Sequence, residues 1–256
     1  MTSRIITIVV AVLLLFAPRT QAQDVYVMTS GAFTAAFLEA APDFERAAKT
    51  QISTAFGASM GGAPDSIPSR LNRGEPADVV ILARAALDDL VAKGKVVPGS
   101  QVDLVRSTIG MAVRAGAPKP DISSVDALKR TLLAATSIAY SASASGVYLS
   151  TELFPRLGIA DAMKEKSRRI ESERVGTVVA RGDAEIGFQQ VSELLPIRGI
   201  DYVGPLPEEV QRVTIFSAGI ATHAKNVEAA RALIRYLTSP AVAPTIRKTC
   251  LEPISR

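Results

Sequence analysis

Three residue types are absent or nearly absent from this 256-residue sequence. It has no tryptophan, one cysteine (Cys250) and one histidine (His223). A single cysteine excludes an internal disulfide and CxxC redox chemistry. One cysteine and one histidine are also too few ligands for a cysteine-rich zinc site. We therefore expect no metal and no cofactor. We expect Cys250 to be buried as a small apolar residue.

The common catalytic motifs are also missing, since the sequence has neither HExxH nor a P-loop. The segment "GASMG" (57–61) matches the G-x-S-x-G pattern with Ser59 as nucleophile. A serine–histidine triad would then need His223, which lies in the polar segment "THAKN" typical of an exposed loop. Nothing in the sequence supplies an evident catalytic base. We therefore predict no catalytic residue and favour a binding protein.

A basic surface stripe is absent as well. Charged residues make up 21% of the chain and the formal net charge is +4, but basic and acidic residues are interleaved along it. Nucleic-acid-binding domains instead cluster lysine and arginine on one face, often with aromatic side chains that stack on bases. We therefore expect no nucleic-acid partner.

The first 22 residues have the pattern of a secretory signal peptide. Arg4 precedes an apolar run over 5–17, which ends in small and polar residues up to Ala22. That run is shorter than the ~20 residues that span a bilayer. Removal of residues 1–22 takes away two arginines and no acids, which lowers the net charge to +2. We expect export to the periplasm with no lipid anchor, and contact with the membrane only through a permease.

Strand and helix signals alternate along the rest of the chain. Strands are predicted at 24–30, 51–57 and 77–83, each followed by a helical pattern. The third is almost wholly apolar, as is typical of a buried parallel strand. A second alternation includes apolar strands at 107–116 and 212–222. This order predicts an α/β fold with mixed, mostly parallel sheets flanked by helices.

Two such alternations predict two lobes joined by a hinge of two crossing strands. We place the first lobe at residues 23–106 and 217–256, and the second lobe at residues 107–216. Ligands of open α/β sheets bind beyond the carboxyl ends of the strands, and in a two-lobed protein that edge faces the hinge cleft. We expect a monomer that closes around a ligand there.

Four turns between a predicted strand and the next helix are small, polar and glycine-bearing. They are "TSGAFT" (29–34), "GASMGG" (57–62), "SASASG" (141–146) and "ESERVGT" (171–177). The first turn of a helix has free N–H groups and about half a positive charge. Each turn taken alone is also an ordinary N-cap, where serine is favoured. Several such turns at one cleft predict a binding site for a small anion.

The chain after its leader resembles the periplasmic solute-binding proteins of ABC importers, in particular the molybdate-binding type. The resemblance covers essentially the whole of that chain. It rests on the segments "VYVMTSGAFTAAF", "PADVVILA", "ASGVYLSTELFPRLG", "RGDAEIGFQQVSEL" and "ALIRYLTSPAVAPTIRKTCLEP". It implies the two-lobed type II periplasmic-binding-protein fold, a small anion held in the cleft, and delivery of that anion to an ABC importer permease.

The resemblance also implies positions for the contacts that the family makes to its oxyanion. One serine of the family matches Ser59, and backbone amide contacts match Ser145 and Val175. Two other contacts differ: a serine of the family falls on Ala32, and the tyrosine of its pocket falls on Gln190. Each lost hydroxyl removes a hydrogen bond worth about 1.5–3 kcal/mol to a charged group.

A glutamine amide both donates and accepts, so Gln190 suits a carboxylate or a hydroxy acid better than a bare tetrahedral oxyanion. We therefore expect an organic anion in preference to molybdate. Arg174, at a helix start, is able to bind a ligand carboxylate with both arms, although pairing with Glu171 or Glu173 is the simpler interpretation. The candidate ligand-binding residues are Ser30, Gly31, Ala32, Ser59, Met60, Ser143, Ser145, Gly146, Arg174, Val175 and Gln190.

Two further functions stay open on the same scaffold. Proteins that look like molybdate binders include isomerases of small unsaturated carboxylic acids, such as aconitate isomerase. A cleft adapted to carboxylates is what such an enzyme needs, with Ser59 or Ser143 as a proton shuttle. An exported binder that presents its ligand to a membrane receptor, as a sensory module, is also compatible with the sequence.

Overall fold

The computed structural model describes residues 24–254, and the expected signal peptide lies outside them. Eleven strands, β1 to β11 in chain order, form one six-stranded and one five-stranded sheet in this part of the chain. The first sheet has the order β11-β4-β10-β3-β1-β2, and the second has the order β7-β6-β8-β5-β9.

The strands of the first sheet are β1 Val25–Thr29, β2 Ile52–Phe56, β3 Val79–Ala83, β4 Val102–Ser107, β10 Thr214–Ile220 and β11 Glu252–Pro253. Those of the second sheet are β5 Ile109–Arg114, β6 Ile138–Ser141, β7 Ser167–Ile170, β8 Ile186–Gln190 and β9 Ile200–Pro205. Strand β1 is parallel to β2 and β3, and β6 is parallel to β7 and β8. Antiparallel pairs join β10 to β3 and β4, and β5 to β8 and β9, so both sheets are mixed.

The helices attached to the first sheet are α1 Gly31–Ala48, α2 Ile67–Asn72, α3 Arg84–Ala92, α10 Val227–Leu237 and α11 Ala243–Lys248. Those attached to the second are α4 Val125–Ala134, α5 Ala144–Tyr148, α6 Phe154–Arg156, α7 Ala160–Lys164, α8 Val175–Arg181 and α9 Val191–Leu194. A π-helical stretch, Leu149–Leu153, joins α5 to α6, and a short 3-10 turn covers Glu208–Val210.

Each sheet is buried on both faces, as its apolar strands predict. In β3, Val79 and Ile81 belong to the core shared with α1, α10 and α11, whereas Val80 and Leu82 belong to the core shared with α2 and α3. The second sheet packs against α4 to α7 on one face and against α8 on the other. The two-lobed α/β prediction is therefore confirmed.

The chain crosses between the sheets twice. It leaves β4 and enters β5 at Thr108, and it returns in the segment between Pro205 and Thr214. The side chain of Gln211 joins the two crossings, since its amide accepts a hydrogen bond from Ile109 N and donates one to Ile109 O, both at 2.9 Å. Residues 214–216, expected in the second lobe, pair with β4 in the first sheet.

Several details differ from the sequence-based expectations. Strands β4, β7 and β9 were not predicted, because polar residues interrupt their apolar pattern. The expectation of a buried Cys250 is wrong: it is exposed, at a positive φ of 57° just after α11. At that turn the chain reverses toward β11, so the thiol lies on the surface. Among the described residues, no helix combines the length and hydrophobicity needed to cross a membrane.

Candidate functional site

Five turns at the carboxyl ends of strands meet in one cleft between the two sheets. Those after β1 and β2 come from the first sheet, and those after β6, β7 and β8 come from the second. The cleft has a volume of about 150 Å³, which suits a small solute. Among the residues lining it are Ser30, Gly31, Phe56, Ser59, Asp65, Ser143, Ser145, Ser172, Arg174, Gln189, Gln190, Glu193 and Phe216.

Hydrogen bonds join one lobe to the other across the cleft. At its mouth, Ser172 Oγ donates to Asp65 Oδ1 at 3.0 Å. At its base, Ser192 Oγ donates to the carbonyl of Ala32 at 2.8 Å, and both residues are buried. The lobes are therefore in direct contact around the cleft in this structure.

The serines of the first lobe present hydroxyls to the cleft in different ways. Ser30 precedes α1 and is buried, and its hydroxyl has no hydrogen-bond partner among the described residues. Ser59 Oγ accepts a hydrogen bond from Ala83 N, just before α3, at 2.9 Å. Because that oxygen accepts from the backbone, its own proton is free to point at a ligand.

The serine turn of the second lobe lies opposite. Ser143 immediately precedes α5, and Ser145 Oγ lies 3.0 Å from Ser141 Oγ in a buried pair. Gly146 lies behind these serines, since a Cβ at this position would overlap the carbonyl of Ser141. Its role in the structure is close packing of the helix on the strand end.

Four of the candidate residues do not line the cleft. Ala32, Gly146 and Val175 are buried behind it, and Met60 lines a separate groove beside Arg84. The Val175 amide, expected at the ligand, instead donates to Gln189 Oε1 at 2.9 Å.

Among the residues that the structure describes, Arg174 is the single cation that lines the cleft. Glu171 forms an ion pair with Arg169, and Glu173 forms one with Arg181. Within the described part of the chain, neither carboxylate lies within 4.0 Å of Arg174, so the simpler interpretation of Arg174 is wrong. Arg174 is partly buried and lines the cleft as a candidate partner for a ligand carboxylate.

Glu193, which the sequence analysis missed, brings a carboxyl group into the cleft. It lies in the first turn of α9, where its Oε2 accepts a hydrogen bond from Gln189 Nε2 at 2.7 Å. Burial raises the pKa of Glu193 to about 7, against the opposing effects of the Arg174 charge and of the Gln189 hydrogen bond. A carboxyl group with this pKa is able to give and take a proton near neutral pH.

A sequence signal for Glu193 did exist. The segment "QQVSEL", directly after the apolar residues "IGF", places it four residues after Gln189 and three after Gln190. Residues at such spacing share one face of a helical turn. Gln190 itself is buried, and its amide donates to Thr214 Oγ1 at 3.2 Å while its Oε1 has no partner in the described structure.

Other chemistries find no support at the cleft. His223 is exposed and does not line it, so the serine–histidine triad is not assembled. Between residues 24 and 254, no three His, Cys, Asp or Glu side chains are grouped to hold a metal ion.

Comparison with known proteins finds two kinds of relative, an enzyme and a binding protein. The chain is 49% identical over 247 residues to a protein named aconitate isomerase from Pseudomonas sp., covering 95% of this chain and 94% of that one. It is 28% identical over 244 residues to the molybdate-binding protein ModA of Azotobacter vinelandii, with 91% of each chain covered.

Among solved structures, the periplasmic molybdate-binding protein of Azotobacter vinelandii superimposes with a TM-score of 0.69 at 19% identity. The match covers 89% of this chain and 98% of that one, and at this identity it speaks for the fold alone. Residues 25–251 match the family described as bacterial extracellular solute-binding protein. This chain belongs to that family of bacterial extracellular solute-binding proteins.

Proposed function

We propose that this protein is a periplasmic isomerase that interconverts the cis and trans forms of a small unsaturated polycarboxylic acid, with aconitate as the first candidate. The observation that carries the proposal is the Glu193 carboxyl group in the interlobe cleft, with a pKa of about 7. The 49% identical relative named aconitate isomerase supports it.

The composition of the cleft favours an organic acid over a tetrahedral oxyanion. Arg174 offers a planar, two-armed donor that matches a carboxylate. Ser30 and Ser59 add hydroxyls, and Gln190 adds an amide oxygen without a partner in the described structure. A molybdate ion carries no hydrogen for Glu193 to remove, whereas an unsaturated organic acid presents a C–H group next to its carboxylate.

The chemistry asked of Glu193 is a proton transfer between two carbons. Aconitate carries a methylene group that is next to a carboxylate and to the double bond. The Glu193 carboxylate takes a proton from this methylene, and the electron pair forms a new double bond to the central carbon. The old double bond opens, and its far carbon takes the proton back from Glu193. The double bond has moved by one carbon, and it re-forms in either geometry with no change in composition.

The cleft supports this transfer through position and through charge. Arg174 and the helix starts stabilise the negative charge that spreads onto the substrate carboxylate as the proton leaves. General acid–base catalysis of this kind contributes about 10²- to 10⁴-fold in rate. Both lobes supply groups to the site, so closure of the cleft also keeps water away from the intermediate.

The test is a proton NMR assay of the purified exported protein with cis-aconitate in D₂O. We expect formation of the trans isomer, and we expect E193Q to lose at least 100-fold in rate. The matched control is E165Q, which replaces an exposed glutamate on the surface and should keep full activity. Equal rates in E193Q and the control would reject Glu193 as the proton carrier.

Capture of the same acid for an ABC importer is the second candidate, since the family membership favours it. The two are separated by thermal unfolding alongside the assay. A ligand at 100 times its Kd stabilises the fold by about 2.7 kcal/mol. A melting shift with aconitate but no isomerisation would favour capture, and a shift with molybdate alone would reject the organic-acid site. A melting shift together with turnover would support the isomerase.

A further inference from the structure

Gln189 connects the start of helix α8 to the carboxyl group of Glu193. Its Oε1 accepts a hydrogen bond from Val175 N at 2.9 Å, and its Nε2 donates to Glu193 Oε2 at 2.7 Å. The side chain is 4% exposed, at the end of strand β8. A single buried amide therefore links two of the turns that form the cleft.

The orientation of this amide follows from its partners. The Val175 N–H group is able only to donate, so the oxygen of Gln189 must face it. The NH₂ group then faces Glu193, whose ionised carboxylate accepts. Each atom of the amide thus has one complementary partner, and turning it over would break both hydrogen bonds.

The same arrangement changes what the start of α8 is able to do. Val175 is the first helical residue, so its N–H group has no partner within the helix. Here Gln189 occupies that N–H group, which would otherwise be available to an anion. Gln189 accepts from this N–H group and donates to Glu193, so the start of α8 stabilises the Glu193 carboxylate indirectly, through the Gln189 amide.

We propose that Gln189 is a positioning residue for the reaction: it holds the Glu193 carboxyl group in a fixed orientation and withdraws the Val175 amide from ligand binding. This inference rests on the proposed isomerase function for its kinetic part. Its structural part, that Gln189 fixes the orientation of the Glu193 carboxyl group and lowers its pKa, does not depend on any catalytic activity.

The charged group that faces Glu193 from another element is Arg174, which precedes α8, while α1 presents its N-terminal Gly31. Both the Arg174 charge and the Gln189 hydrogen bond lower the pKa of Glu193 against the effect of burial. Removal of the Gln189 amide should therefore raise that pKa further. It should also free the carboxyl group to change its orientation.

Two variants test the inference. Q189L removes both hydrogen bonds. V175P removes the N–H group that holds Gln189, at a first helical position where proline is well tolerated, and it also replaces a fully buried valine side chain. In Q189L we expect kcat for isomerisation to fall about 10- to 100-fold with less than about a threefold change in KM. We expect the acid limb of its pH profile to rise by about one pH unit. V175P should give a smaller change in the same direction.

A second readout does not depend on activity. Carbon-13 NMR of the glutamate carboxyl groups, with E193Q to assign the signal, follows the titration of Glu193 directly. An upward shift in Q189L supports the positioning role even if aconitate is not turned over, in which case the proposed function alone fails. If Q189L and V175P both fold and neither the titration nor the pH profile moves, the inference is wrong. If Q189L does not fold, V175P decides by the same two measurements.

Discussion

The carboxyl group of Glu193 lies against Gly31, although the two residues belong to helices attached to different sheets. A Cβ on Gly31 would overlap Glu193 Oε2, so the absence of a side chain at the start of α1 makes room for the carboxyl group. The site is thus completed only when the two lobes are together. Its central contact joins residues 162 positions apart in the sequence.

We predict that G31A displaces the Glu193 carboxyl group with little effect on folding. The overlapping atom is the end of a flexible side chain, and alanine is the better helix former, so the free energy of unfolding should change by less than about 1 kcal/mol. The isomerisation rate should fall by about 10- to 100-fold, because the proton carrier has moved. The matched control is G62A, where an added Cβ meets nothing within 4 Å. Equal loss in both variants would contradict the prediction.

Glu193 should make stability depend on pH in a defined direction. Its pKa in the folded protein is about 7, above its ordinary value of 4.5. The folded state therefore favours the protonated form, and the wild type loses stability as the pH rises from about 4.5 to about 7.

E193Q removes this dependence. Its free energy of unfolding should exceed that of the wild type by about 1–3 kcal/mol at pH 8 and should be nearly equal to it at pH 4. Urea unfolding at pH 4, 6 and 8 measures the difference, with E165Q as the exposed control. A difference that stays constant across the three pH values would show that Glu193 titrates normally.

The hydrogen bond between Ser172 and Asp65 should favour the closed cleft. It is exposed and joins the two lobes at the mouth, so it is worth about 0.5–1.5 kcal/mol. We expect S172A to weaken aconitate binding by about two- to tenfold, measured by calorimetry. S172T keeps the hydroxyl and should bind as the wild type does. Unchanged affinity in S172A would mean that the Ser172–Asp65 hydrogen bond does not stabilise the closed cleft.

Gln211 should matter for the stability of the hinge. In Q211A the backbone N–H of Ile109 loses its partner at the crossing between the sheets, whereas the Ile109 C=O keeps the hydrogen bond from Leu206 N. An unsatisfied backbone group of this kind costs about 1–3 kcal/mol. Denaturant unfolding measures the loss. Gln101, whose amide makes one long, exposed hydrogen bond of 3.4 Å to Asp88, provides the control variant Q101A, expected within about 0.5 kcal/mol of the wild type.

The regular elements of the fold were accessible from the sequence wherever one pattern dominated. Strand β3, for example, is apolar throughout, as the apolar pattern at 77–83 predicts. Strand β7, "SRRI", carries two exposed arginines at the sheet edge, and its strand character depends on pairing with β6. No local pattern encodes such a strand.

The candidate site was predictable in outline only. The serine turns at Ser30, Ser59 and Ser143 follow from local chemistry, because small polar residues precede helices, and the structure brings them to one cleft. The partner of each group was not predictable. Whether the Val175 amide faces a ligand or Gln189 depends on how β8 is placed beside α8, a relation between distant segments.

The sequence by itself determined the alternation of strands and helices, the small turns at strand ends and the scarcity of metal-binding and redox-active residues. Each of these depends on residues close together in the chain. The tertiary structure alone decided that Arg174 is left without a carboxylate within 4.0 Å in the described chain and that Glu193 enters the cleft. It also raised the pKa of Glu193, because the carboxyl group is desolvated where the start of α1, on the other lobe, packs against it.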